Sequence, residues 1–240
     1  MMNAIMKRCG VQLFFLLMIT TVQAQQTEKL LPKVGTASIA GVIDGISIEA
    51  KVQSPSAQAT PLQIACVFEY TENDLTNPPA LPANLNGMLH LDEALHGIIT
   101  DLRKNGKFSG HAFETLLITP PPGTIPAKQL LLVGLGDRNK FTPDVMTTVG
   151  SIGMREALRL GVSSYSHASD LKDAGIESPT ALVAGNVLKG AVSAYRTQVY
   201  LKGKKMASFK PLTKITLLAG PAFYEVSGEA LKEAIATFKN

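Results

Sequence analysis

Ile46, Ile48, Ala50 and Val52 alternate with Ser47, Glu49 and Lys51, the period of two that gives a strand one buried and one wetted face. A second extended run, Thr36 to Ile43, precedes it across Asp44 and Gly45. An Asp-Gly pair accepts the two positive φ angles of a type I′ turn, so these runs are predicted to form a hairpin. Four further runs are almost continuously apolar: Gln63 to Glu69, Thr115 to Thr119, Gln129 to Val133 and Lys214 to Leu218. Such runs suit strands covered on both faces, and these four are expected to form the middle of a sheet.

Between the strands the apolar period lengthens to that of a helix. Met88, Leu91, Leu95, Ile98, Ile99 and Leu102 make one stripe, predicting a helix near Asn86 to Asn105 that stops before Gly106. A second helix starts at Thr142 and Pro143, buries Val145, Val149, Ile152, Ala157 and Leu160, and ends at Gly161. Ser178 and Pro179 open a third, to about Tyr195, whose small residues Ala184, Gly185 and Ala191 would permit close approach to a sheet. Ser227 opens the last, which buries Leu231, Ile235 and Phe238. Strands alternating with helices predict a three-layer α/β fold, a mixed sheet flanked by helices with an N-terminal hairpin. No internal repeat interrupts it, and the proline clusters at residues 77–82 and 120–126 are short enough to be rigid loops. One domain over residues 36–240 is expected, after a loose polar lead-in at residues 25–35.

The first two dozen residues follow another pattern. Lys7 and Arg8 precede an apolar stretch from Val11 to Ile19, and Val22, Gln23 and Ala24 offer a small-x-small cleavage site, the regions of a secretory signal peptide in their proper order. The stretch is shorter than the about 20 apolar residues that span a bilayer, and Cys9 stands before it, where a lipoprotein signal needs its cysteine after. Cleavage is expected after Ala24, with an uncleaved anchor as the alternative. The remainder is then placed in a bacterial periplasm or outside the cell, with no stable membrane span.

The formal net charge is +4, from 23 Lys and Arg against 19 Asp and Glu, and Lys7 and Arg8 supply half of that excess. The residue is too small for the phosphate neutralisation on which nucleic-acid binding depends, so no nucleic-acid partner is expected. Cys66 is the only cysteine beyond the signal and sits within an apolar run. No internal disulfide can form, and a buried, inert thiol is expected.

The order of the motifs resembles a known family. Leu95 to Gly110 reads LHGIITDLRKNGKFSG, Glu114 to Ile118 reads ETLLI, and Ile125 to Asp137 reads IPAKQLLLVGLGD. This resembles the N-terminal domain of the leucyl, or cytosol, aminopeptidase family, in which a helix ends in an x-G-x-F/L-x-G turn, a strand carries E/Q-T-L-L-L, and the next strand reads R-x-L-L-V-G-L-G. The likeness runs over about residues 46–240. It implies a macro-domain-like fold. The family's chemistry belongs to a C-terminal domain that holds two metal ions, partly through an Asn-Thr-Asp-Ala-Glu-Gly-Arg motif, and that motif does not occur in these 240 residues. No catalytic or metal-binding residue can be carried over, and no cofactor is expected.

Among candidate sites, Gly134, Gly136 and Asp137 lie between a strand and a helix, where α/β sheets receive ligands. Asn139 stands where a dinucleotide fingerprint needs its third glycine, so a tight turn is the favoured reading, although a small ligand would be sought here first. Residues 84–90 are the nearest counterpart of an ADP-ribose loop, but they hold one glycine and the bulky Met88 and Leu89. His90, His96, His111 and His167 form no zinc motif. Ser166, His167 and Asp170 superficially suggest a hydrolase triad, without the Gly-x-Ser-x-Gly elbow it would need. Lys202, Lys204, Lys205 and Lys210 are read as a solvated loop. The expectation is an exported, noncatalytic domain that binds a protein partner or assembles with itself or with a separate aminopeptidase catalytic chain. The alternatives are an accessory or divergent part of a metal-dependent aminopeptidase, and a domain for a small nucleotide-like ligand.

Overall fold

The computed structural model describes residues 30–239, so the predicted signal peptide and the first part of the lead-in lie outside the described residues. The strands are β1 (Ala37–Ile43), β2 (Ile46–Val52), β3 (Gln63–Val67), β4 (Thr115–Ile118), β5 (Leu130–Gly134), β6 (Ser164–Ala168) and β7 (Lys214–Ala219). They form one sheet in the order β1-β2-β7-β6-β3-β5-β4. The inner strands run parallel, and β1 and β4 close the edges antiparallel.

The hairpin forms as its alternation predicts. Asp44 and Gly45 take φ of 49° and 81°, and Ile46, Ile48, Ala50 and Val52 are buried. Part of the lead-in is not loose: Thr36 N–H donates to the Lys33 carbonyl and Gly35 N–H to that of Val52 at 2.8 Å, extending the hairpin by a turn.

The four apolar runs do not all lie mid-sheet. β4 is the outer strand, and its residues are only half-buried or exposed. The place expected for it is held by β6, whose sequence Ser-Tyr-Ser-His-Ala breaks the apolar pattern. Of its polar side chains, Ser166 is satisfied across the sheet, where its Oγ bonds Gln63 Oε1 at 2.7 Å.

Five helices are present among the described residues: α1 (Gly87–Ala94), α2 (Ile98–Lys104), α3 (Val145–Leu160), α4 (Thr180–Gly203) and α5 (Tyr224–Thr237). The last three cover one face of the sheet, sharing a core with β2, β3, β5, β6 and β7. The first two cover the opposite face over β3 and β5. The single helix expected over residues 86–105 is thus two. His96 and Gly97 adopt φ of 59° and 78°, and the Asp92 carboxylate caps the new helix start, accepting from Ile99 N–H at 2.8 Å and from the Thr100 hydroxyl at 2.5 Å. Apolar spacing alone cannot reveal such a break, because both halves keep the same stripe.

The third helix runs eight residues beyond Tyr195 and takes Lys202 out of the expected loop into its last turn. The last begins at Tyr224, leaving Ser227 buried within it. A close approach of α4 is also made to a neighbouring helix, at Gly190. A Cβ at Gly190 would overlap the Thr147 carbonyl, and one at Gly150 the Val187 carbonyl. Ser151 Oγ fastens the crossing by donating to the Gly190 carbonyl at 3.0 Å.

Candidate functional site

The parallel strands β2, β7 and β6 end side by side at Val52, Ala219 and Ala168. Beyond these ends opens a cleft of about 570 Å³, within the ~300–1,000 Å³ of small-molecule sites and at the sheet edge where α/β folds bind ligands. Leu217, Leu218, Ala219, Val183 and Ala184 give it an apolar wall. The loop after β2, the start of α1 and the loop after β6 supply its polar groups.

The loop after β6 carries Asp170 and Asp173. Asp170 sits at φ 54°, and its Oδ2 accepts from Cys66 N–H at 3.1 Å. Asp173 Oδ2 accepts from Met88 N–H at 2.9 Å, so it occupies the start of α1. Asn86 ties the same loop down: its Nδ2 donates to the Leu75 and Asp173 carbonyls at 3.0 and 3.1 Å, while its Oδ1 accepts from Leu89 N–H at 2.9 Å. Burial raises the Asp170 carboxyl well above the carboxylate range, and repulsion from Asp173 adds to it. Burial also raises Asp173, to about 6, against the Met88 and Gly87 N–H groups and His90, which favour its ionised form. Burial and their mutual repulsion thus favour the protonated form of Asp170.

His167 is the other unusual group. It is 1% exposed, lines the cleft, and neither ring nitrogen has a hydrogen-bond partner among the described residues. Burial pushes its pKa down to about 4, so the imidazole is neutral. The Tyr165 hydroxyl, on the same face two residues earlier, is likewise without a partner. A buried polar group left unpaired is uncommon in a settled core, and calls for an explanation such as water, an ion or a ligand.

The candidates read from the sequence lie elsewhere. Gly134, Gly136 and Asp137 do not line the cleft, because backbone already fills the space beside them. A Cβ at Gly134 would overlap the His111 carbonyl, Gly136 N–H donates to the Gly110 carbonyl at 2.9 Å, and Asp137 accepts from Asn139 N–H at 2.9 Å. Gly136 has the positive φ of a tight turn, at 78°; Gly134 does not and is required for close approach instead. Ser166 bonds Gln63 and stands apart from the cleft that His167 and Asp170 line, so no triad assembles. Of the residues compared with an ADP-ribose loop, Asn84, Leu85, Gly87 and His90 do border the cleft. Sequence reasoning underrated Asp173, a carboxylate whose only signal was its place in the polar loop after β6. No three His, Cys, Asp or Glu side chains gather as metal ligands among the described residues.

This sheet order, layering and cleft define a macrodomain-like α/β domain. A macrodomain of Oceanobacillus iheyensis solved with ADP matches it with a TM-score of 0.52 at 15% identity, over 84% of this chain and 98% of that one. A tomato leucine aminopeptidase variant matches with a TM-score of 0.53 at 21% identity, over 80% of this chain and 37% of that one. Residues 72–204 match the model of the cytosol aminopeptidase family, N-terminal domain, and the chain belongs to that family. A "Probable cytosol aminopeptidase" of Roseiflexus castenholzii is 32% identical over 129 residues, covering 53% of this chain and 26% of the relative. One from Geotalea uraniireducens is 31% identical over 141 residues. The chain spans about a quarter of the length of these relatives, within the N-terminal part of the family alone.

Proposed function

We propose that the chain is exported and acts there as a noncatalytic binding domain, with the cleft beyond β2, β7 and β6 as its working part. The cleft carries this reading: it is of ligand size and apolar-walled, and it holds a buried imidazole with no partner. Three observations support the rest of the proposal. The signal-like order of residues 1–24 supports export. The family match to an N-terminal domain, with no Asn-Thr-Asp-Ala-Glu-Gly-Arg motif in these residues, supports a role without peptide hydrolysis. Turnover of a leucyl anilide by this chain alone with added manganese would overturn that part.

The test uses protein recovered after export, its N-terminus read as Gln25. A panel of amines, carboxylates, sugars and nucleotides is screened by thermal shift against this protein and against Ala219→Trp, whose indole fills the cleft mouth. A cleft ligand raises the melting temperature of the first only, by the linkage of binding to folding. A panel without a hit, or hits that persist in Ala219→Trp, would sink the reading.

A protein partner is the second reading, favoured by Val199, Tyr200 and Met206, which are exposed at the end of α4 beside Lys202, Lys204 and Lys205. Self-association, or capture of a separate aminopeptidase catalytic chain, that is lost on Tyr200→Glu would support it. A monomer that captures no such chain would count against it.

A further inference from the structure

The cleft's own chemistry says what kind of molecule it takes. Its lining includes two carboxyls, Asp170 and Asp173, and one cation, Lys172. That cation's Nζ is bonded to the exposed Glu177 Oε2 at 2.8 Å and lies 6.0 Å from the centre of the Phe223 ring, which also borders the cleft. Where the loop after β6 meets the start of α1, the fixed charge is that of the two carboxyls. An anion would ordinarily seek the N–H groups at the start of a helix, but at α1 Asp173 already accepts from Met88 and Asn86 from Leu89, each at 2.9 Å. At this end of the cleft a phosphate or carboxylate would have to displace the protein's own acceptors and approach a carboxyl pair. A divalent cation lacks its ligands, since no three suitable side chains gather among the described residues.

Resting on the cleft reading above, we infer that the ligand is a primary ammonium carried on an apolar body, its charge at Asp170 and Asp173 and its body along the wall made by β7 and α4. The proton balance is simple. An ammonium approaching the pair donates N–H bonds to carboxyl oxygens, and a carboxyl that is protonated releases its proton to solvent in exchange, one positive charge for another. His90, on α1, also faces Asp173. A second observation, independent of the acidic pair, points the same way. The His167 imidazole is buried, lines the cleft and is unpartnered at both nitrogens. Being neutral, it offers an acceptor that an ammonium N–H can fill, and a donor for a neighbouring carbonyl or hydroxyl of the ligand. The side chains of Leu217, Leu218, Ala219, Val183 and Ala184 offer hydrocarbon to the rest of the molecule.

A matched trio of probes isolates the charge: 2-phenylethylamine, its N-acetyl derivative and 3-phenylpropanoate, each titrated into the purified protein while the amide resonances of Ser169 to Asp173, Ala184 and Ala219 are followed. The amine is expected to move these resonances and to bind about tenfold or more tightly than either companion. In the double variant Asp170→Asn with Asp173→Asn the preference should vanish while the fold persists, because the amide oxygens can still accept from Cys66 and Met88 N–H. If that variant does not fold, the comparison of the three probes on the unaltered protein still decides. Equal or better binding of the neutral or anionic probe at these resonances would overturn the ammonium assignment and leave the cleft reading standing, as would binding there by nucleotides alone. Silence of these resonances toward the trio and a nucleotide panel would overturn both.

Discussion

Asp74→Ala is expected to cost about 3–5 kcal/mol of folding free energy, the range for removing one partner of a buried ion pair. The Asp74 side chain is 5% exposed and pairs with Arg103, whose side chain is 1% exposed. Arg138 Nη2 reaches the same oxygen from 3.2 Å. Among the described residues the Nε and Nη1 of Arg103 have no hydrogen-bond partner, though its guanidinium lies 5.6 Å over the Tyr70 ring. Without the carboxylate a guanidinium is left in the interior of the α1–α2 layer with nothing to answer its charge. At about 2–4 °C per kcal/mol for a domain of this size, the melting temperature should drop by roughly 10 °C. Denaturant titration gives the free energy directly. The double variant Asp74→Leu with Arg103→Met should regain most of the loss, since a matched apolar pair removes the buried charge and the half-buried Arg138 can turn to solvent. A loss below about 1 kcal/mol in the single variant would mean that the guanidinium escapes to water.

His167→Leu is expected to change the pH dependence of stability. In the fold, burial holds the imidazole pKa near 4, against about 6.5 in an unfolded chain. The unfolded state therefore binds the extra proton between these values. The stability contributed by the neutral site is complete above about pH 6.5 and is lost as the pH falls toward 4. The full difference is about 3 kcal/mol at 1.36 kcal/mol per unit. Asp173 acts in the opposite sense: raised to about 6, it favours the fold below the unfolded carboxyl pKa and loses that contribution as the pH rises through 6. Asp170 has the same sign. Both remain in the variant, so subtracting its profile from the parent's isolates the imidazole. The stability of the parent relative to His167→Leu should fall by about 3 kcal/mol between pH 7.5 and pH 4, read from denaturant midpoints. Parallel profiles would show that the imidazole takes up its proton at the same pH in the folded and unfolded states and is not held neutral by burial.

Neither group announced itself in the sequence. Asp74 lies in a polar loop, and its partners stand 29 and 64 residues away. His167 could be placed only on a short strand-to-loop segment, because Ser164, Ser166 and the histidine itself interrupt the apolar run that would have identified a central strand. Its burial comes from β3 and β7 pairing on either side. The cleft was missed for a related reason: its wall and polar groups come from five separate segments, each ordinary alone. The Gly134 turn looked like a ligand site because it has the right local order, strand then glycine turn. The segment at residues 110–113 packs into it, and that contact is set by the register between β4 and β5.

What the sequence determined by itself is local and periodic. It determined the hairpin, through alternation and the Asp-Gly turn; the helices on the sheet, through their apolar stripes; the layered α/β class; and the family, through three motifs in order. Tertiary structure decided what depends on partners distant along the chain. It put β6 in the middle and β4 at the edge, since a strand's rank in a sheet follows from its neighbours more than from its own letters. It broke the first helix, because Asp92 could cap a second start. It placed the cleft beyond the ends of three parallel strands, where Asp170, Asp173 and His167 meet an apolar wall.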